Sequence, residues 1–395
     1  MKKHIFVILV VAVLAGCSRD ASTNNSNSAF IDVSNPKELP SSEIIESVDF
    51  LFLNETDDIM IGDVSDLCYV DELWYILDIS DRGCVISTFD KEGNALHTMN
   101  RTGRGPGEYL SINNFDVCPK TGDVYAACMP AKVLVFDKDL NLKQEIPINL
   151  TENSFLLSVA KLDDGIMLHN LNYKTDGTSF MEVYYMALDE NKTSESQLIK
   201  SWKRDNCSDI YSNDAFMRSD KNIYFATVDC DTLYRVDAHD LTAVTLIDYP
   251  NREQIREFRN SDSYVLEEDG NYIVQRHKLY TLPESERTKY YTPRIHHVME
   301  RGDELWLHYS HLLYGYNVIT NDGSTNYSAK KLAASIYLGD SAVVVADSFR
   351  YDNVLSPETF DPSGWLKDIP VNYISLTDKQ IESGNKILVI YNLKK

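Results

Sequence analysis

The stretch from Asp66 to Leu142 says the same thing twice, and this repetition limits the available folds more than any other feature. The first copy reads DLCYV, DELWYILD, ISDRGCVISTFDKEG and ALHTMN; the second reads NNFDVCP, KTGDVYAAC, MPAKVLVFDKDLN and LKQEIPI. Each copy holds four short apolar runs split by polar turns, and Phe89-Asp90 recurs as Phe136-Asp137. Four strands in a unit of roughly 45 residues is the period of a propeller blade.

The same phrase extends along the chain. Blade one spans Val64 to Asn100, blade two Ile112 to Ile148, blade three Phe155 to Asp189 and blade four Ala215 to Asp248. The polar run NKTSESQLIKSWKRDNCSD reads as a connection between blades three and four. Pro250 to Tyr291 breaks the rhythm: NREQIREFRN has a helical charge pattern, and DGNYIVQRHKLYTL fits helix or extended chain. Blade five runs from Ile295 to about Lys331. Blade six opens with AASIYLG and SAVVVAD, is interrupted from Ser348 to Asn385 with a short helix at Asp378 to Glu382, and ends at Ile387 to Leu393.

Ser47 to Leu53 is a strand with no local partner, and sharing a sheet with Ile387 to Leu393 would leave no open sheet ends. The expected fold is all-β: a six-bladed β-propeller of four-stranded antiparallel blades, its ring closed by the N-terminal strand joining the C-terminal blade.

Ahead of the repeats, Lys2 and Lys3 precede an apolar run from Ile5 to Leu14 that is too short to span a bilayer. It ends Leu14-Ala15-Gly16-Cys17, similar to the bacterial lipoprotein box. That resemblance implies a leader at 1–16, cleavage before Cys17, a diacylglycerol on its sulfur and an acylated amino terminus. Each buried methylene contributes about 0.8 kcal/mol, so such chains hold a protein firmly on a membrane. Residues 17–43, rich in Ser and Asn, read as anchor and flexible tether. The propeller then occupies 44–395, with the insertion at about 250–291. The expected address is the cell envelope, with the outer membrane favoured, and the first partner is the membrane, through lipid on Cys17.

Removing Lys2 and Lys3 leaves 36 basic against 60 acidic side chains, a formal charge of −24. Nucleic acid and anionic lipid surfaces reward positive charge, so neither is expected as a partner. Six cysteines follow Cys17. Cys68 with Cys84, and Cys118 with Cys128, sit at positions that do not face one another, so these read as small buried side chains. Cys207 with Cys230 stays open as a pair. No Cys/His spacing suits zinc.

Between the first two blades lies Gly103-Arg104-Gly105-Pro106-Gly107-Glu108-Tyr109. With it go the Phe-Asp blade phrase, followed by Lys91-Glu92-Gly93 or Lys138-Asp139-Leu140, and the C-terminal NKILVIYNLK. On these features the chain resembles the six-bladed propeller lipoproteins common in Bacteroidetes, themselves similar to NHL-repeat propellers. Many relatives have proline where Lys386 stands. The resemblance implies fold and compartment, and it implies no assigned biochemical role.

Two readings attach to the GRGPGEY block. Gly and Pro let a loop cross from one blade to the next, with Glu108 and Tyr109 bonding neighbouring loops. Alternatively, backbone amides and Arg104 form an anion cradle. With no following helix and no Gly-Lys-Ser/Thr, a nucleotide loop is not supported.

In a propeller the connections between blades and the loops joining second to third strands share one face. That puts Arg82, Arg101 and Arg104 on or near one rim with His169, Asn170 and Asp229. Blades five and six add Arg294, His296, His311, Asp347, Arg350 and Tyr351. Jointly these could receive an acidic or sugar-like ligand. His296 and His297 are adjacent on a strand, point to opposite faces and make no metal pair. No calcium loop and no nucleophile elbow appears. Trp74 and Trp306 occupy matching core positions, while Trp365 lies in the blade-six loop.

Without a catalytic signature, the favoured reading is a binding protein that takes a small molecule, glycan or protein partner on its channel face and uses no cofactor. The alternative is an exported NHL-like lyase or hydrolase acting at the central channel, with or without a metal.

Overall fold

The computed structural model describes residues 29–32, 37–38, 40–149, 154–175, 178–189, 192–193, 195–204, 215–219, 221–227, 231–261, 264–269, 272–290, 292, 294–301, 304–311, 315–320, 326–328, 336–338, 341–347 and 366–394. Apart from short helices they form strands, arranged as a propeller of small antiparallel four-stranded blades.

Blade one comprises Val64–Val70, Leu73–Ser80, Gly83–Asp90 and Ala95–Met99, paired in sequence order from the innermost strand outward. The second and third strands are buried on both faces because a blade packs between two others, so they read as continuous apolar runs. The outer strand is largely exposed and reads polar. The repeated Phe-Asp phrase is the hairpin between third and fourth strands. Asp90 accepts from the amides of Glu92 (3.0 Å) and Asn94 (2.7 Å), and Asp137 does the same for Asp139 (3.0 Å) and Asn141 (2.8 Å). This turn needs a left-handed residue, supplied by Gly93 (φ +82°) in one blade and by Leu140 (φ 62°) in the other.

Blade two repeats the pattern from Ser111–Val117 to Leu142–Pro147. Blade three uses Ser154–Lys161, Gly165–Tyr173, Ser179–Asp189 and Gln197–Lys203. Its outer strand lies inside the run expected as a polar connection. Most of that strand is solvent-exposed, so its composition is that of a loop. Blade four runs from Phe216–Arg218 to Asp240–Asp248, and blade five from Arg294–Arg301 to Asn326–Ser328.

The last large sheet is composite. Ile336–Leu338, Ser341–Asp347, Lys386–Leu393 and Ile45–Phe52 lie side by side, with Val371–Asn372 added parallel at the edge. Phe50 stands opposite Val389, so the two ends of the domain do share a sheet. Against the expectation of six four-stranded antiparallel blades in a ring closed by the N-terminal strand, the described residues form five blades of strands consecutive in sequence and no closed ring. The composite sheet differs because its strands come from separated stretches of chain and its edge is taken by a parallel strand.

Apolar seams join neighbouring sheets. Tyr75 and Leu77 meet Phe115 and Val124 between blades one and two. Tyr125 and Val135 meet Leu168 and Met186 between two and three. Met167 and Val183 meet Phe225 and Tyr234 between three and four, and Leu233 and Ile247 meet Val298 and Leu307 between four and five. The composite sheet packs Phe50 and Val389 on Trp306 of blade five, and Val343 and Leu388 on Trp74 of blade one.

The insertion forms a helix at Arg252–Arg259, a hairpin of Tyr264–Asp269 with Tyr272–His277, and a helical turn at Glu284–Arg287. The short late helix is Asp378–Ser383, opened by a Thr377/Gln380 capping box and ended by Gly384 at φ 70°. The stretch expected as tether also contains structure: Ala29–Asp32 and Lys37–Glu38 are strands, and Ser41–Glu43 is a 3-10 turn. Cys68, Cys84, Cys118 and Cys128 are free thiols; Cys17, Cys207 and Cys230 lie outside the described residues. Among the described residues no helix is long and apolar enough to cross a membrane.

Candidate functional site

The innermost strands of blades two, three and four are tied at one end by a single carboxylate. Asp116 closes the inner strand of blade two and accepts from Arg218 of blade four (2.5 Å to Oδ2, 3.2 Å to Oδ1). It also accepts the backbone N–H of Lys161 on blade three (2.6 Å) and of Val117 (3.0 Å), while Arg218 donates to the Lys161 carbonyl (2.9 Å). Burial works against the Arg218 charge, but the attraction and hydrogen bonds of Asp116 outweigh it and hold the guanidinium above its ordinary pKa. Nearby, Asn114 donates to Asp66 (3.2 Å). Burial first, and then Asp116 and Asp66, push the Cys68 thiol far up, so it is no nucleophile. With its oxygens shared among four donors, Asp116 works as a clamp on the face opposite the rim. This network was missed from sequence; its one signal is polar residues inside otherwise apolar first strands, at Asp66, Asn114 and Asp116.

On the rim face, the GRGPGEY block folds back on itself. Gly103 N–H donates to the Tyr109 carbonyl (2.8 Å), Gly105 N–H to Glu108 Oε2 (2.7 Å) and Gly107 N–H to Glu145 Oε2 (2.6 Å). A Cβ on Gly103 would sit 2.0 Å from Glu108 Oε2, so a larger residue there would push the Glu108 carboxylate aside. Tyr109 is fully buried and donates to the Cys84 carbonyl (2.6 Å), while Arg101 Nε donates to the Gly107 carbonyl (2.8 Å). Carboxylates of the protein already occupy these two glycine amides, which leaves the anion cradle without its donors. Pro106 and Arg104 are exposed at the tip.

The other expected rim residues divide. Arg82 bonds Asp78 Oδ2 (2.7 Å) and the Met60 carbonyl, so it braces the approach to blade one. His169 and Asn170 are fully buried rather than exposed on a rim. They lie on opposite faces of their strand because strand side chains alternate, and hydrogen-bond partners are found for neither side chain. Burial alone drives the His169 pKa down to about 3, which keeps the ring neutral. Ser158, paired with His169 across the strands, and Thr227 on blade four also bury a hydroxyl with no partner among the described residues, so these polar atoms lie inside the fold and not on the rim.

His296 does not simply oppose His297. A bulge between Ile295 and His297 breaks the alternation, the His296 ring lies 5.5 Å from His308, and His297 pairs opposite His308. Burial, and then His296 and His297, lower the His308 pKa well below its ordinary value. Among the described residues no group of three or more His, Cys, Asp or Glu is arranged to hold a metal ion. Arg294 opens the first strand of blade five, His311 ends its second, and Asp347 ends the second strand of the composite sheet. Asp229, Arg350, Tyr351 and Trp365 lie outside the described residues.

The rim also carries apolar groups that sequence reasoning missed. Met60 (48% exposed) precedes blade one, Leu110 (40%) precedes blade two, and Phe155 (39%) opens blade three beside Tyr173. Ile79 (38%), at the end of a second strand, is on the same face. Isolated exposed apolar side chains are ordinary, and these four share the face of the interblade loops.

Among solved structures the chain resembles a Bacteroides fragilis protein described as exported. Identity is 16%, the TM-score is 0.55, and the match covers 93% of this chain and 100% of that one. This likeness shows the propeller fold. U3-55K (8% identity, TM-score 0.39, 87% and 98% covered) and Myxococcus xanthus glutaminyl cyclase (8%, 0.31, 67% and 92%) also match, at scores too low to carry an argument. No curated protein matches the chain. Residues 1–18 match the prokaryotic membrane lipoprotein lipid attachment site, so the chain carries the signal for a lipid anchor at Cys17. Residues 27–342, most of the strands described above, match one family throughout, and the chain belongs to it: the family described as domain of unknown function DUF4934.

Proposed function

We propose that this protein is a lipid-anchored propeller of the cell envelope that binds a small molecule, glycan or protein partner on its rim face. The observation that carries this reading is the asymmetry of the two faces. One end of the inner strands is tied shut by Asp116 and Arg218, while the other presents Met60, Leu110 and Phe155 with the exposed Arg104. Apolar groups beside a cation suit a ligand with both an apolar and an acidic part. The finer expectations belong to the same proposal: the composite sheet stands in the sixth place of an NHL-like ring, and the anchor lies in the outer membrane. The packing of that sheet on both blade five and blade one supports the sixth place.

Arrays of envelope glycans and peptides, probed with the purified chain, test the binding site. The expected result is binding that Leu110→Glu with Phe155→Glu abolishes and that Leu198→Glu, on an exposed outer strand, leaves intact. Binding insensitive to the rim substitutions would place the site elsewhere. Replacing Cys17 with Ser is expected to release the protein from membranes, and retention would count against the anchor.

A further inference from the structure

The N-terminal segment stitches the outer edges of three successive sheets before the first blade begins. Ala29–Asp32 lies parallel to the outer strand of blade four, Ala29 opposite Thr245 and Asp32 opposite Asp248. Lys37–Glu38 lies parallel to the outer strand of blade five, opposite Tyr327 and Ser328. Ile45–Phe52 then pairs antiparallel in the composite sheet. An outer strand otherwise presents unpaired backbone groups, and this strap covers two such edges. The family match begins at residue 27, so the strap falls within the shared fold.

The strap has a direction. The outer strand of blade four, Asp240–Asp248, runs toward the rim. Near its end Ile247 N–H donates to the Asp231 carbonyl (2.7 Å), and Asp231 lies in the segment joining the second and third strands. A parallel partner runs the same way, so Asp32 is at rim level and Ala29 lies further toward the opposite face. At Ala29 the N-terminal end of this strand therefore points away from the rim. Twelve steps separate Cys17 from Ala29, a reach of at most about 40 Å at ~3.3–3.6 Å per residue. The lipid on Cys17 is therefore confined to within that reach of the outer edge of blade four.

We propose that the strap orients the propeller on the bilayer that holds the lipid on Cys17. Blade four and the face opposite the rim are nearest the membrane, and the face bearing Met60, Leu110 and Phe155 is turned away. With a formal charge of −24 the body is not drawn onto anionic headgroups, so the strap, not surface adhesion, sets the orientation. The inference stands apart from any ligand, because its test reads position and not binding.

The lipidated full chain is reconstituted into phosphatidylcholine vesicles doped with spin-labelled phosphatidylcholine. A genetically encoded fluorescent residue replaces either Lys221, in the turn between the first two strands of blade four, or Arg104 at the exposed tip on the rim face. Quenching several-fold stronger at 221 than at 104 is expected, and equal or stronger quenching at 104 overturns the proposal. Phe30→Pro with Ile31→Pro, which removes the N–H groups of two successive residues and so one that faces blade four, is expected to erase the difference; a difference that survives it shows that the strap does not set the orientation. The wild-type comparison decides the orientation even if that variant is not exported.

Discussion

Arg218 of blade four reaches past blade three to hold Asp116 of blade two, with 2.5 Å between guanidinium and carboxylate. Both side chains are largely shielded, so removing one leaves the other as an uncompensated charge. Arg218→Ala is expected to destabilise the fold by about 2–4 kcal/mol, with the double variant Asp116→Ala/Arg218→Ala costing less than the two singles together. Urea unfolding of the four proteins measures the coupling. Additive losses would mean the pair does not act as a unit.

Tyr109 is the buried post beneath the GRGPGEY turn. Tyr109→Phe keeps the packing and removes two hydrogen bonds, the one donated to the Cys84 carbonyl and the one accepted from the Arg101 N–H. A loss of roughly 1–2 kcal/mol is expected, read as a lower unfolding midpoint at unchanged slope.

Gly93 carries two constraints at once. Its φ is +82°, and an added Cβ would stand 2.3 Å from the Phe52 carbonyl oxygen, which is backbone and cannot rotate aside. Gly93→Ala is expected to cost more than the roughly 1 kcal/mol of a left-handed alanine alone, because the composite sheet must shift away from blade one. Thermal unfolding measures it, and a neutral substitution would show that this junction gives way easily.

His169 makes stability depend on pH in a known direction. Its folded pKa of about 3 lies below the ordinary 6.5, so the unfolded chain binds the proton first. The contribution is complete above about pH 6.5 and is lost as pH falls toward 3. His169→Gln is expected to flatten the decline in unfolding midpoint between pH 7 and 4, although His308, shifted the same way, keeps part of it. An unchanged decline would show that His169 does not titrate on unfolding.

How much of this was legible follows from burial. Second strands such as Leu73–Ser80 are packed on both faces and announce themselves as apolar runs, so the blades of consecutive strands, and the pairing of the two chain ends, could be read directly. Gln197–Lys203 is an exposed edge and reads as loop, and the strap strands of four and two residues are too short to show a period. The candidate site was harder still. Rim loops could be assigned to a face by topology. However, whether His169 faced solvent or a seam depended on which side of the strand blade four covers, and no local pattern records that. The bulge at Ile295 and His297 likewise overrode the alternation that would separate adjacent histidines.

The meeting of Phe50 with Val389 has a consequence for how the protein is made. A strand near the start of the domain must wait for one near its end, so the composite sheet cannot assemble until nearly the whole chain has crossed the membrane. Blades one to four can each zip up locally in the meantime. The Ile45–Phe52 segment arrives ahead of every blade and is satisfied after them. Until Lys386–Leu393 emerges, its apolar side chains and one row of its backbone groups lack the strand that they pair with.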